Sequence, residues 1–249
     1  MDTLTATLTA GMEARMQSLE LIANNIANTS SAGYKADRER FSSYLSAAAA
    51  DALYTGQNET RGEMPVIEDR YTEFQQGTLQ ETTNPTDLAL EGEGFFAVNT
   101  PRGIRYTRSG SFRLTADGEL RTRVGYQVRV GNSGTSGKLG ALGDAPVRVD
   151  ERGQIWQARE KLGDLEIVRF NRPDLLRKEE GVYFASLPGM TVERSTANVR
   201  SQTLESSNVD AGAASIELVN ATRSFQFLNR AYNVVANAKR SAVEQVAKW

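Results

Sequence analysis

From Leu8 the positions Leu8, Met12, Arg15, Leu19, Ile22 and Ile26 advance by alternating steps of four and three, and all but Arg15 are apolar. That spacing predicts a helix with one narrow apolar stripe. The run from Asn24 to Gly33 then turns polar, and Gly33 can take the left-handed conformation that ends helices, so the helix is expected to stop between Asn28 and Gly33. Near the other end Ala214, Leu218, Ala221, Phe225, Leu228, Tyr232, Val235, Lys239, Ala242, Val246 and Trp249 follow the same alternation, with Lys239 the one charged member. The sustained pattern predicts a coiled-coil seam on a helix of about 35 residues, roughly 50 Å long. Asp210 stands where an N-cap is needed, and its charge suits the helix dipole.

Between these helices the pattern changes. Phe41, Tyr44, Leu45 and the Ala47 to Ala50 tract are compatible with a second helical piece, which the glycines at Gly56 and Gly62 interrupt. Beyond Glu63, short apolar or alternating runs (Leu88–Leu90, Phe95–Val98, Gly125–Val130, Leu165–Phe170) sit between turn signals and read as strands. Asp117-Gly118 and Glu151-Arg152-Gly153, each flanked by such runs, predict hairpins. Gly131 to Gly137 reads as a loop at a surface tip. The expected fold class is therefore α+β. Terminal helices in 1–35 and 206–249 pair as a coiled-coil-like polymerisation domain, 36–75 connects, partly helical or extended, and 76–205 is a β-rich outer domain. Seams this narrow stabilise little in one subunit, so the pattern points to many copies bundling together.

Composition narrows the chemistry. The 249 residues contain no cysteine and no histidine, which excludes thiolate nucleophiles, Cys/His metal clusters and every triad built on His. Lys and Arg total 29 against 31 Asp and Glu, a net charge of -2 with no basic stripe for nucleic acid. No stretch approaches the roughly 20 apolar residues of a membrane span, and the Thr-rich start lacks the basic region of a cleaved signal.

Three blocks then resemble one family. Leu21 to Thr29 with Gly33-Tyr34-Lys35, the middle segment Asn84 to Val98 with Tyr106 to Phe112 and Asp117-Gly118, and Leu204-Glu205-Ser206-Ser207-Asn208-Val209 ahead of a long heptad helix are similar to the flagellar rod and hook axial proteins. Within that family the length suits rod proteins better than a hook protein, and the Met1-Asp2 opening leans toward the proximal-type over the distal rod protein. The resemblance implies a structural subunit of the basal-body rod, self-assembling around the export channel and transmitting torque. It implies as partners further copies of the chain, other rod and hook axial proteins, the flagellar type III export apparatus and surrounding ring proteins. It also implies export without a cleaved signal peptide to a periplasm-spanning rod. The expected assembly interface comprises Leu8, Met12, Leu19, Ile22, Asn24, Asn25, Ile26 and Asn28 on the first helix, and Leu218, Phe225, Leu228, Tyr232, Val235 and Val246 on the second. No catalytic, cofactor or metal residues are expected.

Other readings carry less. Asn24 and Asn28, one turn apart beside the stripe, either fix register in a seam or simply end the helix. Gly92-Glu93-Gly94-Phe95-Phe96-Ala97 imitates a dinucleotide fingerprint, but a strand-like run and Pro101 follow where a helix should start. Asn132 to Leu139 resembles a phosphate loop without its first glycine or the hydroxyl after its lysine. Glu91 and Glu93 read as solvated turn acids rather than an acid/base pair. The sequons at Asn28, Asn58 and Asn220 need a eukaryotic secretory route that nothing in the sequence supports. An enzymatic alternative, a hydrolase of the cell wall, would need carboxylates converging in a groove of the β-rich region. A closed coiled-coil adaptor would need one small, concentration-independent oligomer.

Overall fold

The computed structural model describes residues 3–45, 63–131, 147–157, 159–179 and 181–246. Helix α1 (Thr3–Ala27) and helix α2 (Ala211–Val246) flank a β-rich middle, in the expected order. α1 ends at Ala27, inside its polar run, and Gly33 takes φ 70°. α2 begins where Asp210 Oδ1 accepts hydrogen bonds from the amides of Gly212 (2.8 Å) and Ala213 (3.0 Å), satisfying donors that the first turn leaves open.

The expected second helical piece is instead a strand at Phe41, Tyr44 and Leu45. Asp37–Leu45 (β1) pairs with Glu63–Thr72 (β2) in a two-stranded sheet. Phe41, Tyr44 and Leu45 are too few to nucleate a helix alone, and the ladder of a strand partner wins. The Ala47 to Ala50 tract, Gly56 and Gly62 lie outside the described residues, as does the loop of Gly131 to Gly137 from Asn132 on.

The chain divides into two units. One comprises Met1–Ala27, Asp37–Tyr71 and Asp210–Trp249, the other Asn28–Ala36 and Thr72–Val209. In the second unit both expected hairpins form. Phe112–Leu114 pairs with Leu120–Thr122 across a turn with Gly118 at φ 74°, and Val147–Val149 pairs with Gln154–Gln157 with Gly153 at φ 77°. Phe95–Thr100 is the central strand, bonded to Gly103–Thr107, Gln127–Val128 and Ile167–Phe170. Its continuous apolar run is explained by burial on both faces. Phe96 and Val98 join Leu88, Leu90, Val128, Ile155 and Val199 in one core, while Phe95 and Ala97 face Tyr106, Phe170 and Phe184 in another. The strand pairs of Leu88–Glu91 with Asn198–Ser201 and of Leu79–Glu81 with Thr203–Glu205 are joined at Gln202, whose φ of 55° lets the chain change partner.

The three sequence blocks meet inside this unit. Lys35, Arg108 and Glu205 are buried together: Lys35 Nζ donates to Glu205 Oε1 (2.5 Å) and to the Gln75 carbonyl (2.5 Å), and the Gly77 amide donates to the same Glu205 oxygen at 2.9 Å. Arg108 Nη1 stands 3.6 Å from Glu205 Oε2, and its guanidinium lies 5.3 Å from the Phe95 ring centre. Burial outweighs the neighbouring Glu205 carboxylate and holds both the Lys35 ammonium and the Arg108 guanidinium below their ordinary pKa values. Gly33 must stay bare here, because a Cβ would come within 2.2 Å of the Ser109 amide nitrogen. Asn208 completes the knot: its Oδ1 accepts from the Ala36 amide (2.7 Å) and its Nδ2 donates to the Glu73 carbonyl (2.7 Å).

Removing one partner of this knot strands buried charge, so Glu205→Ala is expected to lower stability by about 3–5 kcal/mol. Glu91→Ala, which breaks the exposed pair with Arg200 (2.9 Å), should cost less than about 1 kcal/mol. Urea unfolding of the two variants side by side measures the contrast.

Candidate assembly interface

The helical unit is built from two helices that touch along their lengths and run antiparallel. Gly11 of α1 faces Leu228 of α2, and the α1 turns around Ser18 to Asn25 share a groove with Glu217 to Ser224. The line of α1 that is most buried is made of Gly11, Ala14, Ser18 and Asn25, small or polar residues one position off the apolar stripe. Small side chains let the helices approach closely: a Cβ on Gly11 would lie 3.6 Å from Leu228 Cδ1. Leu8, Met12, Leu19, Ile22 and Ile26 flank that line and are half-buried.

On α2 the seam begins at two buried alanines, Ala214 and Ala221, and continues through half-buried Leu218, Phe225, Leu228 and Val235 to Tyr232, which is more exposed. Val246 is helical, but its side chain, those of Lys239 and Ala242, and Trp249 lie outside the described residues.

The asparagines separate in environment. Asn25 is buried and clasps β1 at its start, its Nδ2 donating to the Asp37 carbonyl (2.9 Å) and its Oδ1 accepting from the Asp37 amide (3.1 Å). Asn28 serves the turn after α1, its Oδ1 accepting from Ser31 Oγ at 3.1 Å. Asn24 is exposed. The clasp was not legible in the periodicity, since Asn25 lies beside the stripe and its partner is backbone twelve residues on.

A second apolar stripe was also missed. Ile216, Val219, Phe227 and Val234 are 65%, 49%, 72% and 68% exposed. At about 100° per residue, Ile216, Phe227 and Val234 fall roughly opposite the seam that faces α1. α2 is thus apolar on two sides, one covered by α1 and one bare. Basic residues share the bare face, because Arg223 and Arg230 fall on the same line and are exposed. Spacing alone could have found it, but the seam of larger period absorbed the signal.

Among the described residues no group of carboxylates is placed to hold a metal ion, and no helix is long and apolar enough to cross a membrane. A groove of the β-rich unit, about 670 Å³, includes Glu81, Glu91, Asp150 and Glu151 with Arg200. Arg200 bonds Glu91, which together with Glu151 and Glu81 raises its pKa.

Residues 89–158 match the model of the flagellar hook protein FlgE/F/G D1 domain. The chain is 31% identical to the flagellar basal-body rod protein FlgG of Bacillus subtilis, over 87% of this chain and 89% of that protein. The chain belongs to the flagellar rod and hook axial protein family. Two further members frame it. The rod protein FlgG of Borreliella burgdorferi is 28% identical over 93% of this chain and 94% of its own length. The hook protein FlgE of Helicobacter pylori is 37% identical over 60% of this chain but only 22% of its own length. At the level of this axial family the protein is a structural component of the bacterial flagellum and not an enzyme.

Asn25→Ala removes both hydrogen bonds to Asp37 and is expected to destabilise the helical unit by about 1–3 kcal/mol. Hydrogen exchange at the β1 amides, compared with amides of the β-rich core, should show the loss confined to the former.

Proposed function

We propose that this axial protein is a subunit of the basal-body rod that polymerises through its two terminal helices. The observation that carries the reading is the bare apolar stripe of α2. A helix with opposite apolar faces satisfies one of them within its own chain and needs a second helix for the other. Pairing of α1 with α2 in a coiled-coil-like manner would cover the seam, and the stripe meeting a neighbouring copy would complete the burial. A contact between unlike surfaces that does not close on itself generates an open helical array instead of a ring.

Rod rather than hook is favoured by extent. Alignment with the rod relatives runs nearly end to end, whereas it spans about a fifth of the hook relative. In this reading the helices form the inner wall of a tube around the export channel. The β-rich unit makes lateral contacts that carry torque. The subunit leaves through the flagellar type III export apparatus, and other rod and hook axial proteins and the surrounding ring proteins are its neighbours.

Placing the tagged protein in purified basal bodies tests the location: signal in the rod supports the proposal, and signal confined to the hook overturns it. Phe227→Asp combined with Val234→Asp tests the mechanism. These surface changes should leave monomer stability within about 0.5 kcal/mol and abolish sedimentable polymer in concentrated solution. Polymer yield equal to the parent chain would refute the role of the stripe, and one small concentration-independent oligomer in light scattering would favour a closed adaptor.

A further inference from the structure

Beside α2's covered seam lies a groove of about 330 Å³ between α1, the start of β1 and α2. Ser18, Ile22, Glu39, Glu217, Ala221 and Ser224 are among its lining residues. Its floor and walls are mixed, with apolar Ile22 and Ala221 beside polar groups. Glu39 is the unusual member: its side chain is 6% exposed, and its Oε2 accepts a hydrogen bond from Ser18 Oγ at 2.6 Å. Its Oε1 is buried without a hydrogen bond, and Arg70 Nη2 stands off at 3.9 Å. Glu217 stands near, 3.9 Å from Arg38. Arg15 and Arg38 also border the groove, so what it lacks is a donor at Glu39 rather than general positive charge.

The bare stripe of α2 carries the complementary chemistry. Arg223 is exposed and has no ion-pair or hydrogen-bond partner among the described residues. It lies one turn from both Val219 and exposed Phe227 on the same face. A guanidinium flanked by apolar side chains suits a groove that pairs an apolar wall with an under-bonded carboxylate. The groove-lining residues of α2 and its bare stripe point in directions roughly 90° apart around the helix, so one copy cannot fill its own groove.

We propose that the groove receives the α2 stripe of a second copy, Arg223 donating to Glu39 and Phe227 packing on Ile22 and Ala221. This rests on the polymerisation reading and names its contact. Groove and stripe are different surfaces of one chain, so the contact is head-to-tail and repeats without closing.

A charge-swap mixture tests it. Arg223→Glu chains and Glu39→Lys chains should each raise the critical concentration for polymer by on the order of tenfold or more, as loss of a close charge pair would. Mixed in equal amounts they should copolymerise at near-parental concentration, because each then meets a complementary partner. As a second measurement free of charge changes, Phe227→Cys and Ile22→Cys chains, in a protein with no native cysteine, should form a mixed disulfide under mild oxidation. A mixture no better than its components, together with no mixed disulfide in polymer that forms normally, overturns this contact while leaving polymerisation intact. A parent chain that never polymerises overturns both.

Discussion

The ion pair between Lys35 and Glu205 is the constraint on which the β-rich unit turns. It is fully buried, so neither charge can be hydrated, and each must be satisfied by what the fold brings to it. That requirement draws together the strand ending at Glu205, the turn at Gln75 to Gly77 and the segment Gly33 to Ala36, which come from distant parts of the chain. Lys178 adds a fourth thread, donating to the Lys35 carbonyl at 2.6 Å and lying 3.7 Å from the Tyr34 ring centre. Hydrophobic burial supplies the bulk of the driving force through the two cores on either side of Phe95–Thr100. The ion pair adds selectivity, because a misplaced segment would leave a charge unpaired in the interior.

The helical unit works on the opposite principle. Its internal contact uses small residues, Gly11, Ala14 and Ser18, and leaves larger apolar side chains half-covered on both helices. A unit built to be stable alone would bury Phe227 and Val234. Here that apolar area stays exposed, and in the assembly proposed above a neighbour covers it. The β-rich unit closes over its two cores, whereas α2 keeps Ile216, Phe227 and Val234 exposed.

Local signals in the sequence were legible wherever the controlling interaction is short-range. Asp117-Gly118, Glu151-Arg152-Gly153, the cap at Asp210 and the seam from Ala214 all depend on residues within a few positions of one another. The strand at Asp37–Leu45 was not, because its partner lies beyond Gly62 and its start is pinned by Asn25 from the helix. Nor was the burial of Lys35, Arg108 and Glu205. Lys35 and Glu205 are 170 residues apart, and a lysine reads as surface until its carboxylate is known. The family likeness pointed to the right segments without revealing that they form one charged knot. On α1 the stripe was found and its orientation missed by one residue, since glycine, alanine and serine carry no hydrophobic signal to mark the side that packs.

The Asn25 clasp gives the two ends of α1 different surroundings. Two directional hydrogen bonds hold α1 to β1 near its C-terminal end, next to the first turns of α2, while Gly11 and Leu228 farther along meet only by van der Waals contact. The clasp joins α1 to β1 and makes no bond to α2, so it fixes the point at which the chain leaves the helix. An amide side chain thus stands in for a neighbouring strand at Asp37, satisfying both backbone groups of the residue at which β1 begins.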